Sequence, residues 1–204
     1  MQLFSWPSSP YVRKALLVAH EVGVFDKLHL VDAGSDDQIT ELKCANPIGQ
    51  IPTLILDNGS VIFESNEVCR YLAALPSRSF DLDEPALDEW EARQHQAVVD
   101  AILDAATAGM DERRRPVEAQ HRPNLDSLMD RIDLCLTYLA KANTKREKEV
   151  SLFTLSLGST LAYLDFRYAD NPWRISHPTL ADWADQFGNR RSMIATKFVV
   201  KNGW

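Results

Sequence analysis

The chain has 204 residues, enough for one large or two small domains with a core that needs neither disulfides nor metals for stability. Hydrophobic residues make up 45% and charged residues 25% of the chain, which is ordinary for a soluble globular protein and excludes general disorder. The net charge of −7, with neither half of the chain basic, argues against a nucleic-acid partner.

The first part of the chain alternates strand and helix patterns. Residues 3–6 are apolar and predict a strand, and Pro10 then suits the first turn of a helix that ends at Gly23. A second strand is expected at residues 28–30, and the polar residues 32–38 predict a loop after it.

A short helix or turn around residues 40–45 leads to a predicted hairpin. Two apolar runs, 53–56 and 61–63, flank an Asn-Gly pair, and Asn-Gly between such runs is a strong hairpin signal. Ser65 then begins a third helix with apolar residues one turn apart. The resulting order, β-α-β, a link, then β-β-α, is the topology of a thioredoxin-like domain, although the spacing alone also permits other small α/β folds.

The second part of the chain predicts helices only. The polar residues 77–84 lie between two prolines and predict a linker, so the expected domains are residues 1–76 and 85–204. One helix of the second domain has an apolar residue at every third or fourth position, at Leu125, Leu128, Met129, Ile132, Leu136 and Leu139. Few glycines follow the linker, which suits a helical bundle better than sheets.

Four further segments complete the helical half. Residues 143–149 are charged and predict a loop, and residues 151–168 are so apolar that they predict a central buried helix. Residues 178–187 and 190–194 predict two shorter helices near the C-terminus.

Neither a membrane segment nor a metal site is expected. No apolar run reaches the roughly 20 residues that span a bilayer, and the N-terminus lacks the basic and apolar parts of a signal peptide. Cys44, Cys69 and Cys135 and the five histidines have no metal-binding spacing. An odd, scattered set of cysteines indicates reduced thiols, so we expect a cytoplasmic protein.

Two strand-to-helix turns in the first domain are candidate ligand sites. At the first, Ser8 or Ser9 before Pro10 either caps the helix or donates a hydrogen bond to an anion. At the second, Ser65 is again either a cap or an anion donor, while Glu64 could accept a hydrogen bond from an ammonium group. Together these two groups suit the α-amino-acid end of a ligand.

A third candidate site is Gly-Gln-Ile-Pro-Thr-Leu at residues 49–54, where the hairpin begins. A cis bond between Ile51 and Pro52 would turn the backbone groups of Ile51 outward, where an extended peptide could pair with them. The alternative is a trans proline at an edge strand, which the sequence alone favours because about 5–6% of X–Pro bonds in folded proteins are cis.

These three motifs, at these intervals, resemble the glutathione site of cytosolic glutathione S-transferases. The resemblance covers nearly the whole chain and is greatest to small bacterial members that begin Ser-Pro-[Tyr/Phe]-Val-Arg-Lys, here residues 9–14. It implies a thioredoxin-like α/β domain followed by an all-α helical bundle, which is the glutathione S-transferase fold, in a homodimer. It also implies a detoxifying transferase that uses glutathione as co-substrate and a small electrophile as the second substrate.

The resemblance assigns a role to each motif. Ser9 would hydrogen-bond the glutathione sulfur and stabilise its thiolate, as a donor and not as a nucleophile. Ile51, before the expected cis-proline, would pair through its backbone with the cysteinyl residue. Glu64 and Ser65 would bind the γ-glutamyl end, and Gln50 is a weaker candidate contact.

The electrophile pocket is less well defined by the sequence. The candidate residues are Trp6, Tyr11, Met110 and Arg113. The run of three arginines that starts at Arg113 would either favour an acidic substrate or form a solvated helix end, and charge runs are usually the latter.

The central helix departs from the family pattern at its start. Family members normally begin it with a Ser/Thr-x-x-Asp capping box, whereas here Thr154 stands in the acid's place, three residues after Ser151. A threonine side chain reaches back less effectively than an acidic one, so we expect a weakened cap at a cost of about 1 kcal/mol.

Two other functions fit the same motifs. One is a non-catalytic glutathione-binding or interaction protein, and the other is a glutathione-dependent reductase or lyase. Thiol transfer through an enzyme cysteine is not expected, because residues 8–10 include no cysteine and Cys44 is the nearest one. The complete set of site motifs favours an enzyme.

Overall fold

The computed structural model describes residues 1–75, 89–141 and 150–201. The predicted linker, 77–84, and the predicted charged loop, 143–149, lie outside the described residues. The described residues belong to two compact units, of which the first contains the N-terminal segment and residues 190–201 and the second contains the helices between them.

The first unit has a four-stranded sheet with helices. Its elements up to residue 75 are β1 (Gln2–Ser5), α1 (Pro10–Glu21), β2 (His29–Asp32), α2 (Asp36–Ala45), β3 (Thr53–Ile55), β4 (Val61–Phe63) and α3 (Ser65–Ala73), with a 3-10 turn at Phe25–Lys27. The strand order is β2-β1-β3-β4, with β2 parallel to β1 and the other pairs antiparallel. This mixed sheet confirms the predicted thioredoxin-like topology.

The register of the sheet brings three chain segments to one edge. Phe4 pairs with Thr53, and Thr53 pairs with Phe63. Since β1 and β4 run antiparallel to β3, the residues that follow β1, precede β3 and follow β4 all leave the sheet at the same edge. The hairpin between β3 and β4 turns at Gly59, which has a φ of 84° that favours glycine.

Helix α2 is longer than the sequence predicted. Residues 36–38 belong to the helix, so the prediction of a loop over all of residues 32–38 was wrong. The reason is local, because the Ser35 hydroxyl accepts a hydrogen bond from the Gln38 N–H at 3.3 Å and caps the helix. Asp36 and Asp37 lie in the first turn, where negative charge is favourable.

The described residues of the second unit form helices joined by turns, without a strand. Its elements are α4 (Glu89–Arg113), a 3-10 turn (Val117–Ala119), α5 (Arg122–Lys141), α6 (Leu152–Arg167), α7 (Trp173–Ser176) and α8 (Pro178–Phe187). The predicted apolar stripe of α5 is buried except for Met129, which is half-buried. Helix α6 is buried along most of its length, which confirms the predicted central helix.

The start of α6 has a complete capping box. The Ser151 N–H donates to the Thr154 hydroxyl at 2.8 Å, and the Thr154 N–H donates to the Ser151 hydroxyl at 3.2 Å. The expectation that Thr154 would reach back poorly was therefore wrong. A threonine suffices because both residues are buried and the Thr154 side chain needs to span only one helical turn.

The C-terminal segment packs with the first unit. It contains α9 (Arg191–Ala195), and the Arg13 guanidinium of α1 donates to the Met193 carbonyl at 3.2 Å and lies 4.4 Å from the centre of the Phe198 ring. The prediction placed residues 85–204 in one helical domain, whereas residues 190–201 lie with the thioredoxin-like unit because these contacts attach them to α1.

Candidate functional site

Ser9 caps helix α1. Its hydroxyl accepts a hydrogen bond from the Val12 N–H at 3.3 Å, and its own N–H donates to the Trp6 carbonyl at 3.0 Å. A hydroxyl that accepts one hydrogen bond still has its proton to donate. The positive end of the α1 dipole lies beside it, so the Ser9 hydroxyl is placed to stabilise an anion.

Ser8 differs from Ser9 in its surroundings. The Ser8 side chain is buried, at 6% exposure, whereas Ser9 is half-buried and forms the helix cap itself. Burial alone does not decide between them, since Ser65 is equally buried, but the cap lies at the N-terminus of α1 and favours Ser9.

The loop before β3 is organised by a buried asparagine that the sequence analysis did not single out. The Asn46 side-chain amide donates to the Gln50 carbonyl at 3.1 Å and to the Thr53 hydroxyl at 2.9 Å, and its oxygen accepts from the Ile48 N–H at 2.9 Å. The Asn-Pro pair at residues 46–47 was the available signal, since such pairs mark turns.

This loop presents the backbone of Ile51. The Ile51–Pro52 peptide bond is cis. The Ile51 side chain is half-buried against the core cluster of Phe4, Ala33 and Leu42. The cis geometry was the alternative that the family resemblance implied and that the sequence alone disfavoured. The Gln50 carbonyl, in contrast, is occupied by hydrogen bonds from Asn46 and Thr53.

Glu64 caps helix α3 with its own carboxylate. Its oxygens accept hydrogen bonds from the Asn66 N–H at 3.1 and 3.2 Å, from the Glu67 N–H at 3.3 Å and from the Ser65 hydroxyl at 3.2 Å. The backbone of Glu64 has a φ of 70°, a strained value for a residue other than glycine. The interpretation of Ser65 as the helix cap was therefore wrong, because Glu64 is the cap and Ser65 is the first residue of α3.

A buried cation lies next to this cap. Lys14 of α1 is fully buried, and its Nζ donates to the Asn66 side-chain oxygen at 2.7 Å. The sequence gave no reason to assign either residue a role of its own, because a lysine within a helical pattern is normally assigned to the exposed face.

The four candidates for the electrophile pocket divide between the two units. Trp6 and Tyr11 lie in the first unit; Trp6 is buried, and the Lys201 ammonium lies 4.9 Å from the centre of its ring. Met110 and Arg113 lie on α4 of the second unit. The pocket that the sequence predicts from all four residues stays a prediction.

The arginine run at the end of α4 is paired within its own unit. Arg113 pairs with Asp170 at 3.3 Å and lies 4.5 Å from the centre of the Tyr168 ring. Arg114 and Arg115 pair with acidic residues one turn earlier on α4. These pairings favour the helix-end interpretation over an acidic substrate site.

Tyr168 is held by its surroundings in the neutral state. Burial raises its pKa to about 12, although the neighbouring Arg113 opposes that effect. Its hydroxyl donates to the Ala106 carbonyl at 2.5 Å, and Gly109 leaves the space that the hydroxyl needs. This tyrosine therefore joins α4 to the end of α6 and is not an acid or base near neutral pH.

The described part of the chain was also compared with the requirements of a metal site and of a membrane-spanning helix, and it meets neither. No cluster of three or more His, Cys, Asp or Glu side chains there is placed to hold a metal ion. None of the helices in residues 1–75, 89–141 and 150–201 combines the length and the apolar character that crossing a membrane requires. Cys44, Cys69 and Cys135 form no disulfide among the described residues, with Cys44 exposed and Cys69 buried.

Comparison with known proteins gives the family. Residues 8–75 match the family described as "Glutathione S-transferase, N-terminal domain". A solved structure of a glutathione transferase family member from Pseudomonas fluorescens Pf-5 is 34% identical, covers 98% of this chain and 99% of that one, and has a TM-score of 0.87. The chain therefore belongs to the glutathione transferase family.

Two of the related structures contain a bound ligand. The Pseudomonas fluorescens structure contains bound glutathione. A second structure of a family member from the same organism, 32% identical over 98% of this chain and 100% of that one with a TM-score of 0.87, contains S-(propanoic acid)-glutathione. The uncharacterized GST-like protein YibF of Escherichia coli K12 is 25% identical over 202 residues, which are 97% of this chain and 98% of that protein.

Proposed function

We propose that the protein is a glutathione transferase in which the Ser9 hydroxyl stabilises the glutathione thiolate for attack on a small electrophile. The observation that supports this most directly is the register of the sheet, in which Phe4, Thr53 and Phe63 lie side by side. The segments that contain Ser9, Ile51 and the Glu64–Ser65 turn join the sheet at that edge, which suits a single tripeptide ligand.

Each part of glutathione has a matching group at this edge. The cysteinyl residue would pair with the backbone of Ile51, beside the cis bond, in the way that an added strand pairs with a sheet edge. The sulfur then lies towards Ser9 and the N-terminus of α1. The γ-glutamyl end lies towards α3, where Glu64 meets the ammonium group and Ser65 meets the carboxylate. For this, the Ser65 hydroxyl turns from Glu64 to the ligand.

The proposed mechanism depends on the ionisation of the thiol. A free thiol has a pKa of about 8.5, so little of it is ionised at neutral pH. Lowering that pKa by roughly two units needs about 2.7 kcal/mol of preference for the anion. A hydrogen bond to a charged acceptor contributes about 1.5–3 kcal/mol, and a helix N-terminus adds about 0.3–1 kcal/mol. Ser9 at the start of α1 provides both.

The thiolate would attack an electrophilic carbon and form a thioether, while the leaving group or a newly formed carbanion takes up the negative charge. The S-(propanoic acid)-glutathione bound by the Pseudomonas fluorescens relative is such a thioether. Trp6, Tyr11, Met110 and Arg113 stay the candidate residues for the electrophile side, and a detoxifying role follows from the same chemistry.

A homodimer is the proposed assembly, on family membership. Exposed apolar side chains on the second unit support it, since Trp90 of α4 is 70% exposed and Leu134 and Tyr138 lie one turn apart on α5 with 69% and 44% exposure. Analytical ultracentrifugation at micromolar concentration would return a dimer; a single monomeric species would overturn this assembly. A cytoplasmic location stays a prediction, which rests on three cysteines that form no disulfide among the described residues.

Ultraviolet difference spectroscopy of bound glutathione, recorded as a pH series, tests the proposed function. The thiolate absorbance should appear well below the solution pKa of the thiol. Binding without ionisation would instead support a non-catalytic binding protein, or a reductase or lyase with different chemistry. No binding of glutathione would overturn the proposal altogether.

A further inference from the structure

Lys14 is a buried charge to which the proposed mechanism assigns no role. Its side chain is fully buried, which is rare for lysine. Burying an ammonium group is costly unless it forms hydrogen bonds or ion pairs. A position on α1 that retains such a group therefore suggests that the charge has a use.

One contact of Lys14 indicates where that use lies. Its Nζ donates to the Asn66 side-chain oxygen at 2.7 Å, the short distance typical of a charge-assisted hydrogen bond. Asn66 is the second residue of α3 and directly follows Ser65. The same residue donates its backbone N–H to the Glu64 carboxylate at 3.1 Å. Lys14 thus fixes the side chain of a residue whose backbone forms the helix cap.

This contact joins two helices that hold opposite ends of the proposed ligand site. Helix α1 begins at Ser9, and Lys14 lies little more than one turn further along it. Helix α3 begins with the Glu64–Ser65 turn. The Lys14 ammonium also adds positive charge beneath the N-terminus of α3, in a buried setting where screening by water is weak. Both effects favour a carboxylate at that turn.

We propose that Lys14 is a positioning residue for the γ-glutamyl end of glutathione. Acting through Asn66, it holds the first turn of α3 in the arrangement that presents Ser65 to the ligand carboxylate. Lys14 itself touches no substrate. This inference rests on the proposed function and extends it. It assigns a role in recognising the γ-glutamyl end to a residue of α1, the helix whose N-terminus is proposed to stabilise the sulfur.

The test compares two ligands that differ only at the γ-glutamyl end. Glutathione and cysteinylglycine, which lacks that end, are titrated calorimetrically against the parent protein and the Lys14→Met variant, with competition titration for weak binding. Lys14→Met should lower glutathione affinity by about tenfold, as expected for a lost hydrogen bond to a charged group, and leave cysteinylglycine affinity unchanged. Lys27→Met, which alters an exposed lysine of the same unit, should change neither affinity.

A second readout separates positioning from general damage to α1. The pKa of the bound thiol should be the same in Lys14→Met as in the parent, since Ser9 is untouched. Equal losses for both ligands, or a raised thiol pKa, would mean that Lys14 merely supports the fold, and the inference would fail. An unchanged affinity for both ligands would also overturn it.

Asn66→Ala provides an independent variant that keeps the lysine, in case Lys14→Met does not fold. It should show a loss of the same ligand selectivity, and the double variant Lys14→Met/Asn66→Ala should lose no more than Lys14→Met alone. A selective loss in Lys14→Met without one in Asn66→Ala would overturn the role of Asn66. If the parent protein binds no glutathione, the proposed function itself fails; if the parent binds glutathione and the variants bind it equally well, only this inference fails.

Discussion

The Arg190 guanidinium donates two hydrogen bonds to the carboxylate of Glu21, at 3.1 Å from Nε and 2.9 Å from Nη2. The Ser192 hydroxyl donates a third to the same carboxylate at 2.5 Å. Glu21 ends α1, so this fork attaches the C-terminal segment to the helix that Ser9 begins. Burial by itself raises the pKa of Glu21, but the hydrogen bonds from Arg190 and Ser192 outweigh it and lower that pKa.

The stability contributed by Glu21 should depend on pH. Because its pKa is lowered by folding, the contribution is present above the unfolded carboxyl pKa of about 4.3 and is lost as the pH falls through the folded value. Glu21→Gln should therefore lower the free energy of unfolding by about 1–2 kcal/mol near neutral pH, since the carboxylate is partly exposed, and by progressively less in acid. Urea unfolding across a pH series measures the difference.

Glu67→Gln is the matched control for Glu21→Gln. Glu67 pairs with Arg70, but both side chains are about half exposed, so this change should cost less than about 0.5 kcal/mol at every pH. Burial lowers the pKa of His20, and the nearby charges of Asp26 and Glu21 oppose that effect. The acid destabilisation from His20 is therefore shared by the parent and Glu67→Gln and is larger in Glu21→Gln. A loss in Glu21→Gln that stays constant down to the acid limit would contradict the assigned role of the carboxylate.

Replacing Ser9 should separate binding from ionisation. Ser9→Ala removes the hydroxyl proposed to donate to the thiolate but leaves Ile51 and the α3 turn in place. Glutathione affinity should stay within a few-fold of the parent value, whereas the pKa of the bound thiol should rise by about one to two units, as the loss of about 1.5–3 kcal/mol of anion stabilisation requires. The thiolate absorbance of bound glutathione measures this pKa.

Ser8→Ala serves as the control for Ser9→Ala, because Ser8 is adjacent and buried but is not the cap of α1. It should leave the thiol pKa where it is. An equal thiol pKa in Ser9→Ala and the parent would remove Ser9 from the mechanism, and a rise in Ser8→Ala alone would transfer the role to Ser8. Ser9→Ala should also cost about 1 kcal/mol of stability through the lost cap.

Local signals predicted much of the first unit. The Asn-Gly turn gave the hairpin and Ser9-Pro10 gave the start of α1, because a turn or a cap is decided by residues close in sequence. The Ile51–Pro52 geometry was different. Its local preference is for trans, and only the resemblance to a family implied the cis bond that the structure has.

Several of the interactions that the sequence did not reveal join distant segments. Arg13 and Glu21 contact residues near position 190, and nothing in a helical pattern indicates which far segment will cover it. The Lys14–Asn66 contact is hidden for the same reason, since both residues would ordinarily be assigned to solvent. These tertiary contacts of polar side chains explain two features that sequence patterns missed. One is the packing of residues 190–201 with the first unit, and the other is the Lys14 contact at the start of α3.

The capping box of α6 should contribute measurably to stability. Thr154→Val keeps the shape of the side chain but removes the hydroxyl that accepts from the Ser151 N–H, which is then buried without its acceptor. The expected loss in the free energy of unfolding is about 1–2 kcal/mol, measured by urea denaturation. Thr154→Ser, which keeps the hydroxyl, should lose clearly less. A larger loss in Thr154→Ser than in Thr154→Val would show that packing of the methyl group matters more than the cap.

Gly34 should be sensitive to the smallest possible side chain. A Cβ at this position would lie 2.6 Å from Cη2 of Trp6 and closer still to Cζ3, so Gly34→Ala must displace the indole ring or the loop. Overpacking of this kind costs about 1–3 kcal/mol, which a lower denaturation midpoint with an unchanged m-value would report. The Trp6 carbonyl accepts a hydrogen bond from the Ser9 N–H, so a displacement of Trp6 should also move Ser9. The pKa of the bound glutathione thiol should then rise as well.

The clash at Gly34 can be relieved from the other side. Trp6→Leu replaces the indole ring, which would meet the new Cβ, by a smaller side chain. Gly34→Ala should therefore cost less in the Trp6→Leu background than in the parent. Gly59→Ala tests glycine removal without a clash, because no atom lies within 4 Å of a Cβ there and only the positive φ of 84° opposes it, at about 1 kcal/mol. Additive losses for Gly34→Ala and Trp6→Leu would show that the two residues do not press on one another. In that case the strain would have to lie in the backbone of the turn after β2, and the thiol pKa of Gly34→Ala would stay at the parent value.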